Sequence, residues 1–193
     1  MEKMTRRKLQ ALDTKSRIFN SASRLMEQKG FDNITIEQIS KDANVSVGAF
    51  YHHYLSKNDI LNEIYQQGDD YFRERVVNQL SGVTTAELIV SYFDHFAQFY
   101  ISLGVDHIKA LYKTQSKIFV NKNRYMITAL RDIITQGQAK KELACDMSAD
   151  EITDMLVSTA RGFAYTWCLY DGDYPFQEVM HRSIDCLAKS LTY

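Results

Sequence analysis

Apolar side chains recur at three- and four-residue spacings along almost the whole chain, the period of helices buried on one side. Ile18, Phe19, Ala22, Leu25 and Met26 form one such stripe, beginning near Asp13-Thr14. It stops at Gly30, whose tolerance of positive φ suits a helix end, and Phe31 can fold back there as its apolar partner. Four starts carry a hydroxyl followed three residues later by an acid or amide: Thr35/Gln38, Ser56/Asp59, Thr84/Glu87 and Ser148/Glu151. In this capping box the hydroxyl and the later side chain each accept a backbone N–H that the helix leaves unpaired. The pattern predicts an all-α fold of about nine helices, over 14–29, 36–43, 47–54, 57–80, 85–103, 105–118, 121–138, 149–170 and 175–191. No convincing strand, internal repeat or low-complexity segment interrupts it.

Residues 35–54 read TIEQISKDANVSVGAFYHHY, two short helices around a tight turn. Ile36, Ile39 and Ala43 provide the buried side of the first, and Val45 plugs the turn at Asn44-Val45. Ser46 caps the second, in which Phe50 and Tyr54, four apart, face inward. Val47, Gly48, Ala49, Tyr51 and His52 lie on the opposite side. Small residues at a helix start let the backbone approach DNA, and the larger rings reach past them, as a recognition helix in a major groove requires.

The run Val45 to Lys57, with Asp59-Ile60-Leu61 after it and Gly30-Phe31, Thr35 and Ile39 before it, resembles the signature of the TetR (tetracycline repressor) family of bacterial transcriptional regulators. The resemblance covers roughly residues 14–65. It implies that Thr35, Tyr51, His53 and Lys57 meet the DNA backbone, while Val47, Gly48, Ala49 and His52, behind the cap Ser46, lie nearest the bases. Lys57, in the first turn of the fourth helix, would hold a phosphate together with free amides. The implied organisation is a DNA-binding domain over 1–56, with a flexible arm over 1–12, and a ligand-binding and dimerisation domain over 57–193. The basic arm (Lys3, Arg6, Arg7, Lys8) can enter a minor groove or remain a solvated tail. Gly137 to Leu143 similarly resembles the loop that closes the seventh helix in the family.

Beyond residue 80 the chain is rich in aromatics. Phe93, Phe96, Tyr100, Tyr112, Phe119, Tyr125, Phe163 and Trp167 can fill a core or line an apolar pocket for a small hydrophobic or planar effector. His95, His107, Gln115 and Arg161 are possible polar handles in such a pocket. The family resemblance implies that the last two helices pair with those of a second copy, through Met155, Leu156, Phe163, Ile184, Leu187 and Leu191. The same stripes can also pack within one chain. Gly68 is a place where the long fourth helix can bend.

Composition adds limits. With 193 residues, 45% hydrophobic and 24% charged, the chain suits a globular protein. Its net charge of −1 divides unevenly: residues 1–62 hold ten Lys/Arg against seven Asp/Glu, the rest thirteen against seventeen. A basic head on an acidic body suits a DNA-binding protein. Cys145, Cys168 and Cys186 form no C-x-x-C pair and read as buried free thiols. Adjacent His52 and His53 point about 100° apart on a helix, so no metal site is expected. No apolar run is long enough to cross a membrane, and the N-terminus lacks a secretory signal, so a cytoplasmic location is expected. No nucleophile–base constellation or phosphate-cradling loop points to an enzyme, and no cofactor is implied. The reading is a homodimeric, ligand-responsive regulator, a repressor released from a palindromic double-stranded DNA operator. The alternative is a helical small-molecule-binding or interaction protein without sequence-specific DNA binding.

Overall fold

The computed structural model describes residues 5–113, 117–144 and 146–192. They form helices α1 (Arg6–Lys29), α2 (Ile36–Asp42), α3 (Val47–His53), α4 (Lys57–Tyr71), α5 (Thr85–Leu103), α6 (Val105–Lys113), α7 (Tyr125–Ala139), α8 (Ala149–Leu169) and α9 (Phe176–Ser190). No strand occurs among the described residues. Short 3₁₀ turns lie at Phe31–Asn33 and Lys117–Val120, and α4 runs on through a π-helical turn, Phe72–Val76, and a last α-turn, Val77–Gln79.

Local chemistry sets most of these boundaries. All four capping boxes expected from the sequence form, at Thr35, Ser56, Thr84 and Ser148. Gly30 closes α1 at φ 76° with its N–H on the Met26 carbonyl, and Phe31 packs into the core beside it. The first helix nevertheless starts at Arg6, about two turns before the expected position, with the Thr5 hydroxyl accepting the Lys8 N–H. Its opening turns expose even Leu9 and Leu12 and so have no buried stripe to read; only their good helix formers, RRKLQAL, signal them. Arg6, Arg7 and Lys8 are therefore helical, and Lys3 lies outside the described residues.

One other boundary moves because of tertiary contacts. The helix expected over 105–118 is α-helical as far as Lys113, where the described residues break off until the turn at Lys117–Val120, and the one expected from 121 begins at Tyr125. Asn121 accepts the Asn123 N–H in a turn, and Arg124 stays extended as the cap of α7. Gly68 lies in regular α-helix, where an added Cβ would come within 3.0 Å of the Phe99 ring. It permits close packing, and the irregularity of α4 comes four residues later, in the π turn.

α1 to α3 form the head, and α5 to α9 the body. α5 packs lengthwise on α9 and against α7, while α8 lies against α6, α7 and α9. α6 also touches α1 and α4, joining body to head. Among the described residues no helix is long and apolar enough to cross a membrane.

Candidate nucleic-acid interface

The turn between α2 and α3 is built from three adjacent residues and clasped by α1. Ala43 ends α2, Asn44 takes φ 52°, and Val45 donates its N–H to the Ser40 carbonyl at 2.9 Å. Arg17 Nη1 donates to the Ala43 carbonyl at 3.1 Å, and Ser21 Oγ donates to that of Ile39 at 3.2 Å. Asp42 accepts from Arg24 and shares the one Ser21 hydroxyl proton with the Ile39 carbonyl; Arg24 first and then Ser21 hold its carboxyl below the ordinary carboxylate range. Inside the angle between the two helices, Ile39, Phe50 and Tyr54 are buried. The attitude of α3 is thus fixed from behind, leaving its outer side uncovered.

The expected contact residues, on α3 and beside it, differ in exposure. Thr35, Ser46, Val47, Gly48, Tyr51 and His52 are exposed; Ala49, His53 and Lys57 are half-buried. The hydroxyls of Thr35 and Ser46 already accept backbone N–H groups, of Gln38 at 3.3 Å and Ala49 at 3.1 Å. Each keeps its own proton for an acceptor such as a phosphate oxygen. Burial, then the neighbouring His52 and Lys15 charges, lower the pKa of His53, so its ring is neutral at neutral pH. It can offer a phosphate a hydrogen bond but no charge.

Lys57 is occupied. Its ammonium donates to the carbonyls of Phe31 at 2.7 Å and Ile34 at 3.0 Å, and sits 4.5 Å from the centre of the Phe31 ring. In this structure it ties the start of α4 to the 3₁₀ turn after α1, leaving one ammonium proton for anything outside.

α4 is tied to the body as well. Arg124, with a side chain 3% exposed, donates from Nε to Asp69 Oδ2 at 3.0 Å; Asp69 is 17% exposed. Asp69 Oδ1 accepts the Met126 N–H at 3.0 Å, so one carboxylate holds both the cap and the first turn of α7.

The expected pocket aromatics divide. Phe93, Phe96 and Tyr100 are core residues, with Phe96 stacked on Tyr100 at 4.3 Å. Trp167 is stacked on Phe176 and donates from Nε1 to the Gly172 carbonyl, and Tyr125 carries the Arg73 guanidinium over its ring. Phe163 is half-buried. Tyr112 and Phe119, stacked at 5.1 Å, do border open space. On the Phe119 side is a cavity of about 150 Å³ walled by Phe119, Val120, Ile127 and Val157, with Asn121, Lys122, Asp154 and Arg161 around it. On the Tyr112 side a wider groove runs along Tyr165, Cys168 and Leu169. Of the expected polar handles, Arg161 borders the first cavity, His107 is buried at the α6–α1 junction, His95 is half-buried on α5, and Gln115 lies outside the described residues. Val120, Lys122, Ile127, Asp154 and Val157 were not expected there. Residues some thirty positions apart leave no local signal of a shared cavity.

The expected dimer set requires correction. Leu156, Ile184 and Leu191 are buried within one chain, so they cannot present a surface to a second. Met155, Phe163 and Leu187 are half-buried and remain available. The expectation of buried thiols holds for Cys168, where burial pushes the pKa up to about 11, but Cys186 is exposed. Cys145 lies outside the described residues.

A compact helix pair, held by its own core and open along the second helix, defines a helix-turn-helix protein. Residues 18–64 match the family model of bacterial regulatory proteins of the tetR family. The chain is 30% identical over 84 residues to the Transposon Tn10 TetC protein of Escherichia coli, covering 44% of this chain and 43% of that one. The match thus spans less than half the length of the curated relative. Similar folds extend much further. FadR of Thermus thermophilus, a TetR-family repressor solved with lauroyl-CoA, has a TM-score of 0.66 at 24% identity, covering 91% of this chain and 93% of that one. FadR of Bacillus subtilis, solved with stearoyl-CoA, has a TM-score of 0.66 at 19% identity, covering 92% and 99%. Over residues 18–64 the chain is thus similar to the tetR family of bacterial regulatory proteins, and its fold as a whole is like that of the two FadR proteins.

Proposed function

We propose that this protein is an effector-responsive transcriptional regulator, a cytoplasmic homodimer that binds a palindromic operator and is released from it by a small molecule. The observation that carries the reading is the outer side of α3. Small residues at its start, Val47 and Gly48, stand exposed beside Tyr51 and His52, while Phe50 on the opposite side is completely buried. Such a helix can enter a major groove with its N-terminal half against base edges and Tyr51 and His53 against phosphates.

One recognition helix reads few bases, and a twofold pair reads two half-sites about 34–36 Å or a multiple apart. The surface favoured for pairing lies on α8 and α9, where Met155, Gly162 and Phe163 form one stripe and Val179, Cys186 and Leu187 another. Nothing lies within 4 Å of the place a Gly162 Cβ would take, as suits a helix awaiting a close neighbour. The head is coupled to the body through α4, fixed at one end by Lys57 and at the other by Asp69. An effector can act through α4 only to the extent that it binds two arrangements of the body unequally.

Selection of genomic fragments followed by gel shift tests the reading. Discrete sequences with twofold symmetry are expected, and His52→Ala is expected to change the preferred bases. A protein that binds small molecules but retains no fragment above random DNA would instead be a helical ligand carrier.

A further inference from the structure

We propose that the cavity between the Phe119–Arg124 segment, α7 and α8 is a site for a single-ring aromatic carboxylate, with Arg161 as its anion receptor. Size comes first. A cavity of about 150 Å³ is the volume that holds one benzene-sized ring. The walls suit a ring, since Phe119, Ile127 and Val157 are apolar.

The charge balance points the same way. Lys122 is paired with Asp154 at the mouth, so these two cancel. Arg161 is different. Its guanidinium lies 5.4 Å from the centre of the Phe119 ring. Its Nε is sealed from solvent and meets no acceptor among the described residues. A planar donor fork on an apolar floor is satisfied best by a planar, bidentate acceptor, which a carboxylate is. An amine would meet an unbalanced positive charge, and a neutral alcohol would leave most of the fork unpaired.

The location gives binding a consequence. Asn121 and Lys122 at the cavity are two or three residues from Arg124, whose guanidinium holds Asp69 of α4. A ring that fills the cavity presses on the segment that anchors α4. Only this consequence rests on the regulator reading; the binding itself does not.

The test is titration of the full chain with 4-fluorobenzoate, followed by fluorine NMR. Saturable binding is expected, weakened about tenfold or more by Arg161→Gln and by exchanging the probe for 4-fluorobenzyl alcohol. Val157→Trp, which fills the cavity, is expected to abolish it. Helical circular dichroism and thermal melting confirm that both variants fold, and Arg161→Leu serves as a second anion-site variant should the first melt early. Absence of saturable binding to the folded wild type at millimolar probe overturns the proposal. So does unchanged affinity in folded Arg161→Gln or Arg161→Leu. Selection of DNA fragments is scored separately, so failure of benzoate binding and failure of DNA recognition are told apart.

Discussion

At Gly137 two helices of the body come into close contact. A Cβ there would lie 2.8 Å from that of Thr85, nearer than two such atoms can approach. Thr85 cannot swing away freely, because its N–H and hydroxyl both donate to Glu142, at 2.7 and 2.6 Å. Gly137→Ala is therefore expected to destabilise the protein by about 1–3 kcal/mol, the range for overpacking, as read from urea unfolding. An unchanged midpoint would mean that α5 and α7 slide apart at no cost. His107 makes a different prediction. Burial lowers its pKa below the ordinary 6.5, against the opposing influence of Glu27, the Leu103 carbonyl and Asp106. Below pH 6.5 the unfolded chain takes up a proton that the folded chain does not, so stability falls as pH drops through that value toward the folded one. His53 adds to the trend. Urea midpoints are expected to fall between neutral pH and mildly acidic pH, and His107→Gln to flatten the slope; a variant with the full slope would clear His107 of the effect.

Among the elements, α4 is attached at several places along its length. Lys57 holds its start, Phe72 packs against Tyr92 in its π turn, and Asp69 receives Arg124 just before that turn. Asp69→Ala removes a carboxylate from a buried guanidinium and is expected to cost about 3 kcal/mol, measured by thermal or urea unfolding. A loss of only a few tenths would show that Arg124 finds equivalent acceptors. The elements also show what a sequence can reveal. Caps are legible because their partners lie three residues apart, so all four capping boxes could be read. The start of α1 was not legible, because a helix exposed on every side has no periodic stripe. Nor was the break at 121–124, where the anchor of Arg124 lies 55 residues back in the chain.

For the whole molecule, the decisive prediction concerns assembly. Gly162→Arg places a long charged side chain on the open stripe of α8 without entering the core. It is expected to shift sedimentation from dimer to monomer and, with the loss of the second half-site, to reduce operator affinity steeply. The folded circular dichroism spectrum should survive. A dimer unaffected by this change would place the interface elsewhere. The sequence alone determined the all-helical class, the helix-turn-helix with its inward Phe50 and Tyr54, and the opposite face of Val47, Gly48, Ala49, Tyr51 and His52. Those features depend on periodicity and caps, which act over a few residues. Tertiary structure alone decided that Lys57 faces two carbonyls of the preceding turn, that Leu156, Ile184 and Leu191 belong to the chain's own core, and that Arg161 borders a cavity. Each depends on which distant groups fill the space around a side chain, and spacing along the chain carries no record of that.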